Sequence, residues 1–415
     1  MGNYTIDTFS IQKMIYIIFI LSTLITGCDS LDNYIYLNNS STGFPKPNVV
    51  LDVVDDMLRK IPYQHDRSGF VNGNEDCILE CRKQLALLFN INNPNRVVFS
   101  SGATESLNLV IKGLVKRGQH IVTTVVEHNS VIRPLKTLEK DEGVILSLIK
   151  CDENGLVDVN KLEEALTLDT VAVIINHCSN VTGIVNDIKK IGDICKKNNV
   201  LFVVDVSQSA GLCEIDVQKM SIDVLIFTGH KFLYGIMGIG GVYIKEGIDL
   251  RPLKIGGTGV KSDYLYQPET MPTFYEAGTL NLPGIISLRE GVKYIRKNNI
   301  KNIRQIIVQS VTKMREFLSQ FSEVVLYPNK ESGQLTTILS FNIKGIEPED
   351  VGYILEKNYG IIVRTGLHCA PLIHKYIGTS KGGCVRVSPS IFTTDLEIQK
   401  FKSAIEQIVF MGDKL

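Results

Sequence analysis

The stretch DVLIFTGHKFLYGIMGIGG, residues 223–241, sets His230 beside Lys231 where an apolar run gives way to glycines. A lysine at the lip of a sheet can offer its amine as a nucleophile or base when its surroundings lower its proton affinity. Other apolar runs end in the same way. RVVF leads into SSGATES, HIVTTVV into Glu127, His128 and Asn129, AVIIN into His177 and Asn180, LFVV into Asp205 and Gln208, and VLIF into Thr228 and His230. In SGATES, Ala103 and Thr104 open a helix whose free backbone N–H groups can cradle a phosphate. Taken singly, these are a helix cap, a core histidine and a loop lysine. Their joint appearance, each just beyond an apolar run, is what points to a site.

The elements that must position these residues can be read from periodicity. PNVVLDVVDDMLRKI, EDCILECRKQLALLF, TESLNLVIKGLV and DIKKIGDICKKNN repeat apolar residues every three or four positions, as amphipathic helices do. In the third, Leu107, Val110, Ile111 and Leu114 form one stripe. QHIVTTVV, GVILSLIK, TVAVIINH, VLFVVDVS, VLIFTGH and GGVYIK are short, continuous and β-branched. Such strands between helices predict an α/β fold with a largely parallel sheet covered on both faces. Ligands gather at the carboxyl ends of strands in these sheets, where the polar residues stand.

At 415 residues the chain is too long for one core, and two lobes are expected. Its 44 basic and 44 acidic side chains cancel, and no Lys/Arg block interleaves with aromatics, which argues against a nucleic-acid partner. The nine cysteines are odd in number and scattered without a C-x-x-C pair, the pattern of a reducing compartment. Cys77 and Cys81 share a helix face but lack a local third ligand, so they read as core thiols rather than metal ligands. The N-terminus complicates the compartment. KMIYIIFILSTLITGC, with Lys13, an apolar run from Met14 to Ile25 and Cys28, has the form of a lipoprotein signal. A cytoplasmic protein and one anchored to a membrane through Cys28 are the two alternatives.

A phosphate cradle, a carboxylate and a lysine together fit pyridoxal 5′-phosphate. That cofactor needs an amine for its Schiff base, an anion beside its ring nitrogen and an anchor for its phosphate. Lys231 supplies the first and Asp205 the second. SGATESLNLV, EHNSVIRPL, HCSNVTG, DVSQSAG, TGHK, FYEAGTLN and VRTGLHCAPL then resemble, in order from about Tyr34 to the C-terminus, the motifs of the class V aminotransferase superfamily. The branch they resemble is that of SufS- and NifS-like cysteine desulfurases and selenocysteine lyases.

The resemblance implies the type I fold of pyridoxal phosphate-dependent transferases, with a mostly parallel seven-stranded sheet in a large domain and a smaller α/β C-terminal domain. Residues 1–30 form the signal-like segment, 31–48 pack with the small domain, 49–289 form the large domain and 290–415 the small one. Carried over by position, Ala103, Thr104, Thr228 and His230 bind the phosphate, His128 stacks on the ring and takes part in catalysis, and Asn180 and Gln208 flank the ring. Thr279 of EAGTLN matches a threonine that completes the neighbouring subunit's phosphate site, so a homodimer is expected. Arg386, with Arg364 second, matches the clamp for the substrate carboxylate, and Asn180 also faces the substrate.

The same resemblance makes Cys369 a nucleophile. Lys231 removes the α-proton of L-cysteine, Cys369 attacks the substrate sulfur, and a persulfide and alanine result. Arg364 or a protonated His368 would favour the thiolate. The acceptor of the sulfur is an unidentified protein. The chain departs from the better-studied members at Leu367, where they have a histidine, and at GGTG, residues 256–259, and SKGGCVRVSPSIFTT, which look like a less characterised subgroup. Three functions stay open: a cysteine desulfurase, a selenocysteine lyase or other lyase or aminotransferase on the same fold, and a catalytically silent protein at a membrane. The second needs Lys231 but not necessarily Cys369; the third needs neither.

Overall fold

The structure is a computed structural model that describes residues 34–60, 76–328 and 337–412. The signal-like run and Cys28 lie outside the described residues. In chain order the elements begin with β1 (Ile35–Tyr36), α1 (Asn48–Arg59), α2 (Cys77–Phe89), β2 (Val97–Ser100) and α3 (Ala103–Leu114). There follow β3 (His120–Thr124), α4 (Asn129–Glu142), β4 (Ile145–Ile149), α5 (Val159–Glu164), β5 (Thr170–Asn176) and α6 (Ile188–Lys197). The sheet is completed by β6 (Leu201–Asp205), β7 (Val224–Thr228) and β8 (Gly240–Ile244). The C-terminal part holds α7 (Leu282–Asn298), α8 (Ile300–Leu318), β9 (Val324–Tyr327), β10 (Leu339–Ile343), α9 (Pro348–Tyr359), β11 (Ile361–Ile362), β12 (Val385–Val387) and α10 (Asp395–Gly412).

Seven strands form one sheet in the order β2-β8-β7-β6-β5-β3-β4. Successive residues of each strand point to opposite faces, and both faces are apolar. On β5, Val173 and Ile175 enter one core while Ala172 and Ile174 enter the other; on β6, Phe202 and Val204 oppose Val203. Burying each such larger side chain contributes about 1.5–3 kcal/mol, which makes the sheet a rigid platform. The stripe Leu107, Val110 and Ile111 of α3 is fully buried in the second core.

The sheet is mostly parallel, as expected, with one antiparallel strand. β8 pairs antiparallel with both β7 and β2. No helix stands between β7 and β8, so the chain turns back beside β7 instead of crossing over the sheet. The connecting loop, residues 229–239, carries Lys231.

A second sheet, β12-β10-β9, is antiparallel, and β1 pairs with β11. Helix α8 spans two cores: Ile303 and Ile307 pack with the large sheet, Val311, Met314 and Leu318 with the small one. The segment after β1 crosses between them. Asn38 bridges Ser388 beyond β12, whereas the Gly43 N–H donates to the His230 carbonyl at 2.9 Å. A Cβ on Gly43 would lie 2.6 Å from the Lys231 carbonyl oxygen, so only glycine permits this approach. Among the described residues, no helix is long and apolar enough to cross a membrane.

Candidate active site

The carboxyl ends of β3, β5, β6 and β7 share one edge of the large sheet, since these strands run parallel. Beyond this edge, α3 begins after Gly102 without a side-chain cap, leaving the N–H groups of Ala103 and Thr104 without intrahelical partners. Thr228, buried at the end of β7, adjoins the same turn: a Cβ on Gly102 would lie 3.7 Å from its hydroxyl oxygen. Thr104 is exposed, and its hydroxyl lies 2.8 Å from that of Ser130. His128 caps α4, its Nδ1 accepting from the Ser130 N–H at 3.0 Å. The backbone acceptor role fixes the neutral imidazole proton on Nε2.

Lys231 stands opposite Asp205. Asp205 Oδ1 accepts from the Ser207 N–H at 2.9 Å and the Ser207 hydroxyl at 2.5 Å, and among the described residues no bond engages Oδ2. Burial lowers the Lys231 amine to about 8 against the opposing pull of Asp205. Gln208 is buried; its Nε2 donates to the Ser40 carbonyl at 3.0 Å, and its Oε1 has no partner. His230 Nδ1 is likewise unpartnered, and burial holds this ring neutral at about 4. The His230 carbonyl, by contrast, accepts from the Thr42 hydroxyl and Lys46 Nζ as well as from Gly43.

Two arginines face the lysine. Arg386 on β12 is fully buried; it donates through Nη1 to the Asn180 carbonyl at 2.8 Å and through Nη2 to the Ser41 hydroxyl at 2.8 Å and Asn38 Oδ1 at 3.2 Å. Its Nε has no partner. Arg364 donates to Ser41 at 3.3 Å and to Cys369 Sγ at 3.2 Å. Among the described residues no carboxylate pairs with either, and burial together with Arg364 lowers Arg386 to about 9. Two unneutralised guanidiniums are a site for an anion, and their planar donors suit a carboxylate.

Cys369 is exposed on a loop held from three directions. Its carbonyl accepts from the Asn129 N–H at 2.7 Å, the His368 carbonyl accepts from Asn180 Nδ2 at 2.6 Å, and Gly366 exchanges two backbone bonds with Cys384. Gly383 permits that exchange, because a Cβ there would lie 2.1 Å from the Gly366 oxygen. His368 does not supply the cation expected beside the thiol. It is buried, its Nε2 donates to the Cys384 carbonyl at 3.0 Å, and burial followed by the two arginines pushes it down to about 2. The charge beside Sγ comes from Arg364.

Burial and the nearby Lys231 charge hold His128 at about 4, so it too is neutral near pH 7. Glu127, which precedes it, is fully buried; its Oε1 accepts from the Thr124 hydroxyl at 2.6 Å and its Oε2 has no partner. Burial first, and Asp205 in addition, raise it to about 8 from an ordinary 4.5. Since the folded state binds this proton more tightly, the stability it gives is full below pH 4.5 and is lost as pH rises toward 8. Glu127→Gln keeps the neutral form and the Thr124 bond. Denaturant unfolding at pH 5 and pH 8 is expected to show wild type losing more stability than the variant, by up to about 1.4 kcal/mol per pH unit.

The sequence-predicted Ala103, Thr104, His128, Asn180, Asp205, Gln208, Thr228, His230, Lys231, Arg364, Cys369 and Arg386 thus all lie around this edge. Thr279 does not join them: it is exposed, and among the described residues no hydrogen bond links its hydroxyl to the cradle. Ser40, Ser41, Asn38 and Lys46 were not predicted, nor was Ser130. The first four bond to residues 168–348 positions away, beyond any local pattern. Ser130 had a local signal, lying two residues after a capping histidine.

The chain matches the family Aminotransferase class-V over residues 35–401. A probable cysteine desulfurase of Methanothermobacter thermautotrophicus is 32% identical over 390 residues, covering 92% of this chain and 96% of that protein. One from Pyrococcus abyssi is 33% identical over 388 residues, covering 90% and 94%. Among solved structures, the apo cysteine desulfurase of Thermococcus onnurineus NA1 superposes with a TM-score of 0.82 at 32% identity, covering 91% and 95%. The cysteine desulfurase CsdA of Escherichia coli gives 0.83 at 25% identity, covering 92% and 96%. With the match running through both sheets and every strand end described above, the chain belongs to the class-V aminotransferase family, among its cysteine desulfurases.

Proposed function

We propose that the protein is a pyridoxal 5′-phosphate-dependent cysteine desulfurase, converting L-cysteine to L-alanine and passing its sulfur to Cys369 as a persulfide. The observation that carries the reading is the pair Arg386 and Arg364, which no carboxylate among the described residues neutralises, with Arg364 also donating to the exposed thiol. An amino acid held there by its carboxylate would lie between a lowered amine and a sulfur nucleophile.

Several unpartnered atoms support the cofactor. Among the described residues no bond engages Asp205 Oδ2, which can meet a ring nitrogen, the Ala103 and Thr104 N–H groups and the Thr228 hydroxyl can take a phosphate, and Gln208 Oε1 and His230 Nδ1 lie buried without partners. When bound, the cofactor supplies an aldehyde for the amine and a ring that draws electrons from the substrate Cα. Lys231, neutral above about pH 8, can hold the aldehyde and later take the α-proton. Neutral His128 presents a flat face and an Nε2 proton. Cys369 Sγ forms a bond to the substrate sulfur as the carbon–sulfur bond breaks. The bonding pair stays with carbon, which a proton converts to the methyl of alanine.

Thr279, exposed and with no side-chain hydrogen bond among the described residues, can serve a second copy, which supports a homodimer. The large domain would run over 49–289 and the small one over 290–415 with 31–48. L-Selenocysteine fits the same site and mechanism, and the persulfide would pass to an acceptor protein. The compartment is the cytoplasm, with anchoring through Cys28 as the alternative.

Borohydride reduction of the protein loaded with pyridoxal phosphate, followed by peptide mass analysis, tests the cofactor assignment. The label is expected on Lys231, and a label elsewhere or none would overturn it. Arg386→Lys keeps the charge but loses the fork, and is expected to raise KM for L-cysteine roughly 10–100-fold with a smaller change in kcat. Steady-state alanine formation measures the split.

A further inference from the structure

The Ser130 N–H bond makes His128 Nδ1 an acceptor. The Ser130 hydroxyl lies 2.9 Å from the same Nδ1 and 2.8 Å from Thr104 Oγ1. A hydroxyl has a single proton to donate, so Ser130 can give it to His128 or to Thr104.

The choice depends on Thr104, which is exposed in the first turn of α3. With the cradle empty, Thr104 can donate to Ser130 while Ser130 donates to Nδ1. A phosphate would accept the Thr104 proton, since a charged acceptor makes the stronger bond. Thr104 Oγ1 then accepts from Ser130, whose lone pair turns toward Nδ1. The first arrangement favours the neutral ring more strongly than the second, in which the Ser130 N–H alone still donates to Nδ1.

We propose that Ser130 is a positioning residue that directs its hydroxyl proton to His128 when the phosphate cradle is empty and to Thr104 when it is filled. His128 thereby becomes a better proton acceptor once the site is loaded. This rests on the cofactor reading above, in which the cradle takes a phosphate and His128 faces the ring. The other charged groups acting on His128 are Lys231 after β7, Asp205 at the end of β6, Arg364 after β11 and Arg133 on α4. Changing Ser130 leaves all four in place. Alanine at position 130 keeps the backbone bond and removes only the hydroxyl, whereas threonine keeps both.

The test uses the full-length, cofactor-free protein and inorganic phosphate. Phosphate binding is measured by calorimetry, and the pH dependence of His128 carbethoxylation is followed by peptide mass analysis in wild type, Ser130→Ala and Ser130→Thr. Phosphate is expected to raise the proton affinity of His128 in wild type and Ser130→Thr roughly threefold more than in Ser130→Ala. An equal rise in all three means that phosphate acts through its charge alone, and the relay is wrong. Bound phosphate with no rise in wild type also overturns it. A wild type that binds no phosphate overturns the cofactor reading, and the relay with it.

Discussion

Lys231→Ala is expected to lower alanine formation from L-cysteine by about 10³-fold or more, because it removes both the amine that holds the aldehyde and the base for the α-proton. The fold should survive. Lys231 lies in the β7–β8 loop, and no side-chain hydrogen bond of its own supports a neighbour among the described residues. The variant's thermal unfolding should therefore stay close to wild type while turnover disappears. The pH dependence of the intact lysine gives a second readout. An ordinary lysine amine is protonated up to about pH 10.5, but this one is lowered to about 8 by burial. Only the neutral amine attacks an aldehyde, so the rate at which cofactor-free protein captures pyridoxal phosphate should climb through about pH 8 and level off above it. A rate still rising steeply toward pH 10 would mean that Lys231 is solvated as an ordinary surface lysine.

Cys369→Ser should have an effect of similar size on a different quantity. Oxygen is a far weaker nucleophile toward sulfur than a thiolate, so sulfide release in the presence of reductant should fall about 10³-fold. Loading of pyridoxal phosphate onto Lys231 should be unaffected, since among the described residues the Cys369 sulfur bonds to Arg364 and to nothing in the cradle. The two variants thus separate the halves of the mechanism. One loses the cofactor linkage and all chemistry, the other keeps the linkage and loses sulfur transfer.

Much of this site was legible because the sheet is buried on both faces. Continuous apolar runs mark the strands, and the polar residues just beyond them mark the edge of the sheet: Asp205 and Thr228 come first after their runs, and His128, Asn180 and Lys231 follow within five residues. Contacts between residues distant in the chain were not legible. Ser41 receives both guanidiniums across more than three hundred residues, and nothing in its neighbourhood of small polar residues announces this. Which strand of the mostly parallel sheet runs antiparallel was not legible, because GGVYIK is as apolar as its neighbours; only the helix-free connection before β8 sets its direction. His368 was misjudged for a related reason. Its place beside Cys369 was plain, but not its burial, nor the charges of Arg386 and Arg364 that add to burial in keeping its ring neutral.

Whether Cys369 accepts the substrate sulfur is read directly from the mass of the peptide carrying it after incubation with L-cysteine in the absence of reductant. One added sulfur atom on Cys369 is expected, formed together with alanine and absent from Lys231→Ala. Alanine produced with no added sulfur on Cys369, and at an undiminished rate in Cys369→Ser, would contradict it and leave a lyase that uses Lys231 alone.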